Sequence, residues 1–422
     1  MTPEVLVFSE GAEYLCNEYM DLIHAFENNA AIINIKGSLF SFKLTGFLIF
    51  NNTPVVVFPK NFKTTGDSFK RDAALLLRVL LRYRMERIHT PEENQVLNGN
   101  ETNSNGRIVA AVALLNDFQT YGYLKRTERI KTTYAKGNID WAATVNRKYP
   151  VISQRRLYYT DPVIRQNIED VNNIVIQIHK AVISECLQLW GWMTGLSSND
   201  NFCKMPCDDE KAVRILKNEL LVTYANRDIE VLRNMIAYLK CKTGRRKYVH
   251  FELLATPFFY YVWEYICGHI FENQYAAMLP VVAKPVWKNC LVKHNVSQRP
   301  DILFIDGKGF FVLDAKYYDY NNSLPGWNDV AKQLLYKYTI ENNKSTKAMK
   351  ILEKIERVYN VFILPQNDTT ETVYIGTVAV EDVADLGEIH AFAINTRLAM
   401  YAYASGEKSK LKYDVVSALI GM

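Results

Sequence analysis

With 422 residues, 49% of them hydrophobic and 23% charged, the chain has the make-up of a soluble globular protein and room for two or three domains. Fifty basic residues against 45 acidic leave a net charge of +5, which permits nucleic-acid binding without arguing for it, because such binding rests on local basic clusters. The start, "MTPEVLVFSEGAEYLC", lacks the basic head and long apolar core of a signal peptide, and the longest apolar run, "PFFYYVW", is too short to span a bilayer, so a cytoplasmic protein without membrane contact is expected.

Residues 31–62 read as strands, with "NNTP" as the turn of a hairpin between two β-rich runs. A helix follows over 68–87, capped by Asp67 or Ser68, with Leu76, Leu80 and Tyr83 at helical spacing and arginines between them. Residues 90–106 are polar and turn-rich, a loop. Residues 107–160, including "GNIDWAATVNRKYP", mix helix and strand signals. The stretch 160–192 predicts one long helix, with Thr160 or Asp161 as cap and Pro162 near its start. After the connector 195–209, helices resume to about Lys240. The basic "CKTGRRKYVH" reads as a hinge. Beyond it, Thr256 suits a helix cap and Pro257 the first helical position of "TPFFYYVWEYICGHIFEN". Two strands, a helix over 328–343 and strands at "VYNVFILP", "TVYIGTVAV" and "IHAFAIN" complete a mixed α/β order. The expected division is 1–155 (β-rich), 156–245 (a helical connector) and 246–422 (a mixed C-terminal domain).

The seven cysteines are scattered and odd in number; only "CKMPC", Cys203 to Cys207, looks paired, and no second pair follows at zinc-like spacing. Free thiols are expected. His250 and His294 could be catalytic, but lone histidines usually are not, and neither is counted among the site residues. No internal repeat stands out.

The stretch "QRPDILFIDGKGFFVLDAKYYD", residues 298–319, places two acids and a lysine on apolar strands, where charge is disfavoured unless paired. Gly307-Lys308 can form a two-residue turn with glycine first, as a type II′ hairpin needs. Asp301 then lies opposite Asp314 and shares its face with Lys316, two residues on. A three-residue loop would put Asp301 on the other face unless a bulge corrected it. Two carboxylates so close repel unless something positive sits between them. A hard cation such as Mg²⁺ takes oxygen ligands and keeps several waters, and the Ala315 carbonyl could supply one more. This set fits metal-assisted phosphodiester hydrolysis, with Lys316 orienting the attacking water or offsetting transition-state charge. The plain alternative is a pair of solvated strand-end acids with a snorkelling lysine.

"RPDILFIDGKGFFVLDAKYYD" resembles the active-site hairpin of the PD-(D/E)xK nuclease superfamily: Pro300-Asp301 matches its first half and Asp314-Ala315-Lys316 its second. More nearly it resembles the McrC family, nuclease subunits of GTP-driven restriction systems, including the LlaJI-type branch; "LDAKYY" is similar to that family's usual "LDxKYK". "FYYVWEYI" resembles the upstream helix, with Glu264 in the place of its acid. "NDVAKQLLYKY" resembles the downstream helix, with Gln333 as its glutamine. Relatives often have glutamine and tyrosine four apart, but here Tyr336 and Tyr338 stand three and five residues on; Tyr336 is the better candidate. "LTGFLIFNNTPVVVFPKNF" and "GNIDWAATV" resemble the N-terminal hairpin and a mid-chain motif.

The resemblance implies a C-terminal restriction-endonuclease-like PD-(D/E)xK domain, a β-rich N-terminal region and a helical middle. It implies cleavage of double-stranded DNA through Asp301, Asp314 and Lys316. Mg²⁺ would be bound by Asp301, Asp314, Ala315 and Glu264, with Mn²⁺ as a substitute, and Gln333 would contact the DNA backbone or a metal-bound water. It also implies a separate McrB-like AAA+ GTPase ring, docked on the N-terminal region and stimulated by this chain, and self-association for double-strand cleavage. Arg78, Arg82, Arg84 or a residue of 90–106 is a candidate for that stimulation. The chain has no phosphate-binding loop of its own: the nearest string, "SGEKSK", has Glu407 between glycine and lysine and Tyr401 where the first glycine belongs. The basic "CKTGRRKYVH" and "VWKNCLVKHN" could grip phosphates. Two other readings are a solitary repair or recombination nuclease and a non-catalytic adaptor of a GTPase.

Overall fold

The computed structural model describes residues 5–26, 32–50, 53–60, 62–66, 68–86, 106–133, 136–170, 172–194, 202–243, 251–286, 298–367 and 370–422. The expected 90–106 loop, nearly all of it, most of "CKTGRRKYVH" with His250, and most of "VWKNCLVKHN" with His294 and Cys290 lie outside the described residues.

The N-terminal part contains β1 (Leu6–Ser9), β2 (Tyr14–Leu15), α1 (Met20–Phe26), β3 (Ile33–Lys36), β4 (Leu39–Phe42), β5 (Thr45–Phe50) and β6 (Thr53–Phe58). β5 and β6 are rich in β-branched and aromatic residues and almost wholly buried, which suits strands covered on both faces. β2, β4 and β3 form a small sheet. Its Phe40 and Phe42 close on Phe8, whose ring meets Tyr14 edge-on at 4.9 Å. α2 (Phe69–Glu86) buries Leu76, Leu80 and Tyr83, the residues whose spacing announces it.

The middle part begins with α3 (Arg107–Tyr121), β7 (Thr127–Thr132), β8 (Asn138–Ile139) and α4 (Trp141–Arg147), which Asp140 caps through the Ala143 amide. β9 (Val151–Ser153), β10 (Arg156–Tyr158) and β11 (Ile164–Glu169) follow. α5 (Ile174–Thr194), α6 (Asp209–Val222) and α7 (Asn226–Thr243) then pack with α3 around Trp190, Tyr238 and Leu115. The single helix expected over 160–192 is therefore a strand and a helix. Ile164 to Glu169 pair antiparallel with Thr132 to Thr127 along their whole length. Cross-strand pairing overrides local propensity there.

The last part starts with β12 (Phe251–Thr256) and α8 (Phe259–Ile270). Thr256 ends the strand rather than capping the helix, which begins two residues later than its Thr-Pro pair suggests; the Thr256 hydroxyl accepts from the Phe258 amide instead. Then come α9 (Tyr275–Met278), β13 (Ile302–Asp306), β14 (Gly309–Ala315), α10 (Trp327–Glu341), α11 (Thr346–Leu352), β15 (Arg357–Gln366), β16 (Thr372–Ala379), β17 (Glu388–Asn395), α12 (Thr396–Ser405) and α13 (Lys410–Ile420). The five strands form one mixed sheet in the order β13-β14-β15-β17-β16, parallel across β14-β15-β17 and antiparallel at both edges. Every residue of β14 is buried, because α8 and α10 both pack on it. The fold is thus mixed α/β with a β-rich N-terminal part, as expected.

The three-way division is corrected. The chain groups into two compact units, one built on 105–248 and one in which 4–104 belong with 249–422. Two contacts explain this. β12 pairs antiparallel with β5, extending the N-terminal sheet β1-β6-β5-β12. On the other side, Arg397 of α12 makes a two-pronged ion pair with buried Asp72 of α2, at 2.8 and 3.0 Å.

Gly46 is where the β5–β12 pairing is most exacting. Its φ is +145°, and a Cβ there would stand 2.4 Å from the Leu254 carbonyl oxygen. Gly46→Ala should cost roughly 3–5 kcal/mol from backbone strain and overpacking together. A urea-unfolding midpoint equal to wild type would show that the sheet tolerates a side chain there.

Candidate active site

The hairpin register settles the geometry that the sequence left open. Asp306 pairs with Gly309 and Ile302 with Leu313, so the loop is the two residues Gly307-Lys308. Gly307 has φ +57° and Lys308 has no positive φ, the type II′ pattern. One step beyond Ile302, Asp301 faces Asp314, and the two carboxyl groups share a hydrogen bond.

Each strand end is held by its surroundings. Asp301 accepts the Ala315 amide through Oδ2 at 3.0 Å. The Asp301 carbonyl accepts from Asn273 Nδ2 at 2.8 Å, while Asn273 Oδ1 takes the Leu303 amide at 3.1 Å. Asn273, just past α8, therefore fixes the start of the edge strand β13, a role invisible without the partner strand. At the far end, Tyr317 follows Lys316 directly. Its hydroxyl donates to Glu10 Oε2 at 3.1 Å and accepts the Lys60 amide at 2.7 Å. Burial drives the Glu10 carboxyl above its usual range, against the pull of Lys60, Thr45 and Tyr317. The N-terminal sheet thus grips the strand that carries the lysine.

Lys316 Nζ lies 2.7 Å from Asp314 Oδ2 and 2.7 Å from Asp329 Oδ1 on α10. Burial works against its charge, but these two carboxylates outweigh it and hold the ammonium protonated. Asp329 is a member of the cluster that sequence reasoning missed. Asp301 is pushed up to about 8, first by burial and then by the neighbouring Asp314 and by Glu264. Without a cation, the facing carboxyls therefore keep a proton between them at neutral pH.

A cleft of about 1210 Å³ opens beside Asp301, lined among others by Glu264, Arg299, Lys332, Tyr336 and Arg82. Lys332 stands 5.5 Å from the centre of the Tyr336 ring. Burial opposes its charge, and Asp314, Tyr336 and Asp301 more than compensate. It is a second lysine in the field of the paired acids, and it too was missed, because nothing in its local sequence marks it.

The carboxylate pair fits a hard cation. Asp314 is 1% exposed and its Oδ2 is paired with the Lys316 ammonium at 2.7 Å. A second buried carboxyl facing it, held above its usual range by burial and by that closeness, leaves more acid than the one ammonium balances, which suits a metal. Among the described residues no three His, Cys, Asp or Glu side chains come together as a metal cluster. Glu264 acts on Asp301 through its charge from the cleft wall, as a third acid standing off the pair. Two carboxylates, one carbonyl and water make up a set that Mg²⁺ accepts.

Gln333 is corrected. It is fully buried, and its Nε2 donates to the Val312 carbonyl at 3.0 Å and the Val361 carbonyl at 3.5 Å. It fastens α10 to the sheet and does not reach DNA or a metal-bound water. Tyr336 is a core residue packed with Leu303, Phe310 and Val312, and Tyr338 points away, 45% exposed. Cys203 and Cys207 are free thiols, and no helix among the described residues is long and apolar enough to cross a membrane.

The sequence profile of the LlaJI restriction endonuclease family matches residues 44–397. The chain belongs to the LlaJI restriction endonuclease family. That match spans β5 of the N-terminal sheet to the start of α12 and includes the whole acid-acid-lysine hairpin, so the endonuclease character of the family and the residues assembled here coincide in one protein. No curated protein matches the chain significantly. Among solved structures, the chain is similar to a chain of the half-complex of Thermococcus gammatolerans McrB AAA+ hexamers with bound McrC. The identity is 14% and the TM-score 0.41, with 98% of this chain and 100% of that chain covered. A chain of the McrBC complex from the same organism matches at 12% identity and a TM-score of 0.29, covering 56% of this chain and 79% of that one.

Proposed function

We propose that this LlaJI-family chain is the nuclease subunit of a restriction complex, hydrolysing phosphodiesters of double-stranded DNA with Mg²⁺ and working with a separate AAA+ GTPase of the McrB kind. The observation that carries the reading is the meeting of Asp301, Asp314 and Lys316 at one end of a buried hairpin. Asp301, Asp314 and the Ala315 carbonyl would hold the cation; Mn²⁺ has the same preference for oxygen ligands. When bound, it would polarise the scissile phosphate and lower the pKa of an attacking water. Lys316 keeps its charge and orients that water or offsets charge in the transition state. Glu264 orients a water from the cleft wall. Lys332 and Arg299, on the same cleft, meet phosphate oxygens. Cutting both strands calls for two such sites, supplied by a second copy of the chain.

The partner half of the reading rests on the absence of a phosphate-binding loop in the sequence, on the family, and on the McrB–McrC complexes similar to this chain. Arg78 and Arg82 are poor candidates for reaching a GTPase. They lie 6.0 Å and 4.6 Å from the rings of Tyr401 and Tyr403 on α12, and Arg82 also donates to the Tyr403 carbonyl. Burial alone depresses the pKa of Arg84. The middle unit offers a better surface. Residues 125–165 hold ten Lys and Arg against three Asp and Glu. Trp141, Tyr149, Ile152 and Leu157 on it are 58%, 98%, 74% and 62% exposed. Exposed apolar side chains in a stretch so rich in basic residues have the composition of an interaction surface.

The test is plasmid cleavage with Mg²⁺ by the wild-type chain, with and without a McrB-like AAA+ GTPase from the same source and GTP. Cutting only with both supports the subunit reading. Cutting by the chain alone replaces it with a solitary nuclease, and no cutting under any condition replaces it with an adaptor.

A further inference from the structure

Lys316 has more counter-charge than its own neutralisation requires. Asp314 alone, at 2.7 Å, would balance the ammonium; Asp329, also at 2.7 Å, is a second and separate anchor. It projects from the first turn of α10, thirteen residues beyond Lys316 and on a different element from the hairpin. The Asp329 side chain is held in turn: its Oδ2 accepts the hydroxyl of Tyr318 at 3.1 Å. Tyr318 belongs to the same strand end as Lys316, so lysine, aspartate and tyrosine close a small ring between β14 and α10. An acid in the first turn of a helix is favoured by the helix dipole alone, but that preference needs neither the lysine nor the tyrosine.

The two anchors differ in what else is asked of them. In the proposed function, which this inference rests on, Asp314 gives its oxygens to a divalent cation. An ammonium competing for the same carboxylate would be repelled by the cation and, with no other partner, would swing away from the scissile phosphate. We propose that Asp329 is the positioning residue of Lys316, holding the ammonium in the site when the Asp314 oxygens are engaged elsewhere, with Tyr318 fixing the direction of the Asp329 carboxylate. Groups that orient a reacting side chain from outside usually matter by about 10–100-fold, because a displaced lysine contributes little in the transition state.

The experiment compares wild type, Asp329→Asn, Asp329→Glu and Tyr318→Phe in two assays. In the first, the protein in saturating Mg²⁺, where the Asp314 oxygens are engaged, is treated with an amine-acylating reagent and labelling of Lys316 is read by mass spectrometry, with Lys332 as internal reference. Asp329→Asn should raise Lys316 labelling several-fold while Lys332 stays unchanged, and Asp329→Glu should bring it back towards wild type. In the second, cleavage by the complete complex is measured. Asp329→Asn should lower kcat by about 10–100-fold with KM for DNA within about twofold. Asp329→Glu should recover most of that loss, and Tyr318→Phe should lose a smaller part. Unchanged Lys316 labelling overturns the proposal. So does a loss confined to KM, or one that Asp329→Glu shares in full, since both describe a helix-end acid with a structural role. A wild-type complex that fails to cleave counts against the nuclease reading, and the labelling still decides whether Asp329 holds Lys316.

Discussion

Asp314→Asn should remove DNA cleavage by about 10³-fold or more while leaving the protein folded. The amide has the shape of the carboxylate but neither its charge nor its capacity to ligate a cation through both oxygens, and losing even one preorganised electrostatic contact at a reacting centre costs 10²–10³-fold. The fold should not suffer. Asp314 is the charge that helps push Asp301 up to about 8, so its removal relieves a buried repulsion, and Lys316 retains Asp329 at 2.7 Å. An inactive variant with an unfolding temperature equal to or above wild type is the signature of a site that trades stability for chemistry. Plasmid nicking by the complex, followed over time, gives the rate, and scanning calorimetry gives the stability. A variant that cuts within tenfold of wild type would exclude Asp314 from the chemistry. Lys316→Ala should give a similar loss for a different reason: it removes the charge that faces the transition state and leaves buried Asp314 without its counter-ion, so it alone of the two should also lower stability.

The second large effect is on pH. Asp301 keeps its proton up to about pH 8 when no cation is present, because burial and the Asp314 carboxylate oppose its ionisation. A ligand must be ionised, so cation binding displaces that proton. Well below pH 8 each unit of acidity should therefore weaken binding by about tenfold, roughly 50-fold in all between pH 8 and pH 6, with little change above. Titration calorimetry with Mn²⁺ at pH 7, in two buffers of different ionisation enthalpy, should show close to one proton released per ion. Affinity that is flat from pH 6 to 8 would contradict a carboxyl held protonated by its partner. The same shift has a sign for stability. The unfolded chain ionises Asp301 in the ordinary carboxyl range near 4 and the folded chain only near 8. Between those values the fold holds the extra proton, and the cation-free protein loses stability as pH rises.

The hairpin was legible because it depends on local rules. Side chains alternate along a strand, and a two-residue turn with glycine first would bring Asp301, Asp314 and Lys316 to one face; the pairing of Asp306 with Gly309 decides that this turn is the one formed. The strands β13 to β17 and helix α2 were equally plain, since each carries its own periodicity. Other features were not local. The stretch 160–192 has the composition of one helix, yet β7 captures its first part as β11, and only the presence of that partner decides the matter. Gln333 sits beside Lys332 in sequence, but the rotation of α10 against β14 and β15 buries the first onto strand carbonyls and leaves the second on the cleft.

By itself, then, the sequence supplied the candidates: two acids and a lysine that a two-residue turn would bring to one face, a set that would suit a hard cation. Tertiary structure alone decided how that face is held. Asn273 clamps the edge strand from the end of α8, Glu10 reaches the residue next to Lys316 from the opposite end of the chain, and Asp329 meets Lys316 from a helix whose orientation no local pattern encodes. The reason is physical. Periodicity fixes which way a side chain points within its own element, whereas contact between elements depends on how buried surfaces pack, and that is set by the whole core at once.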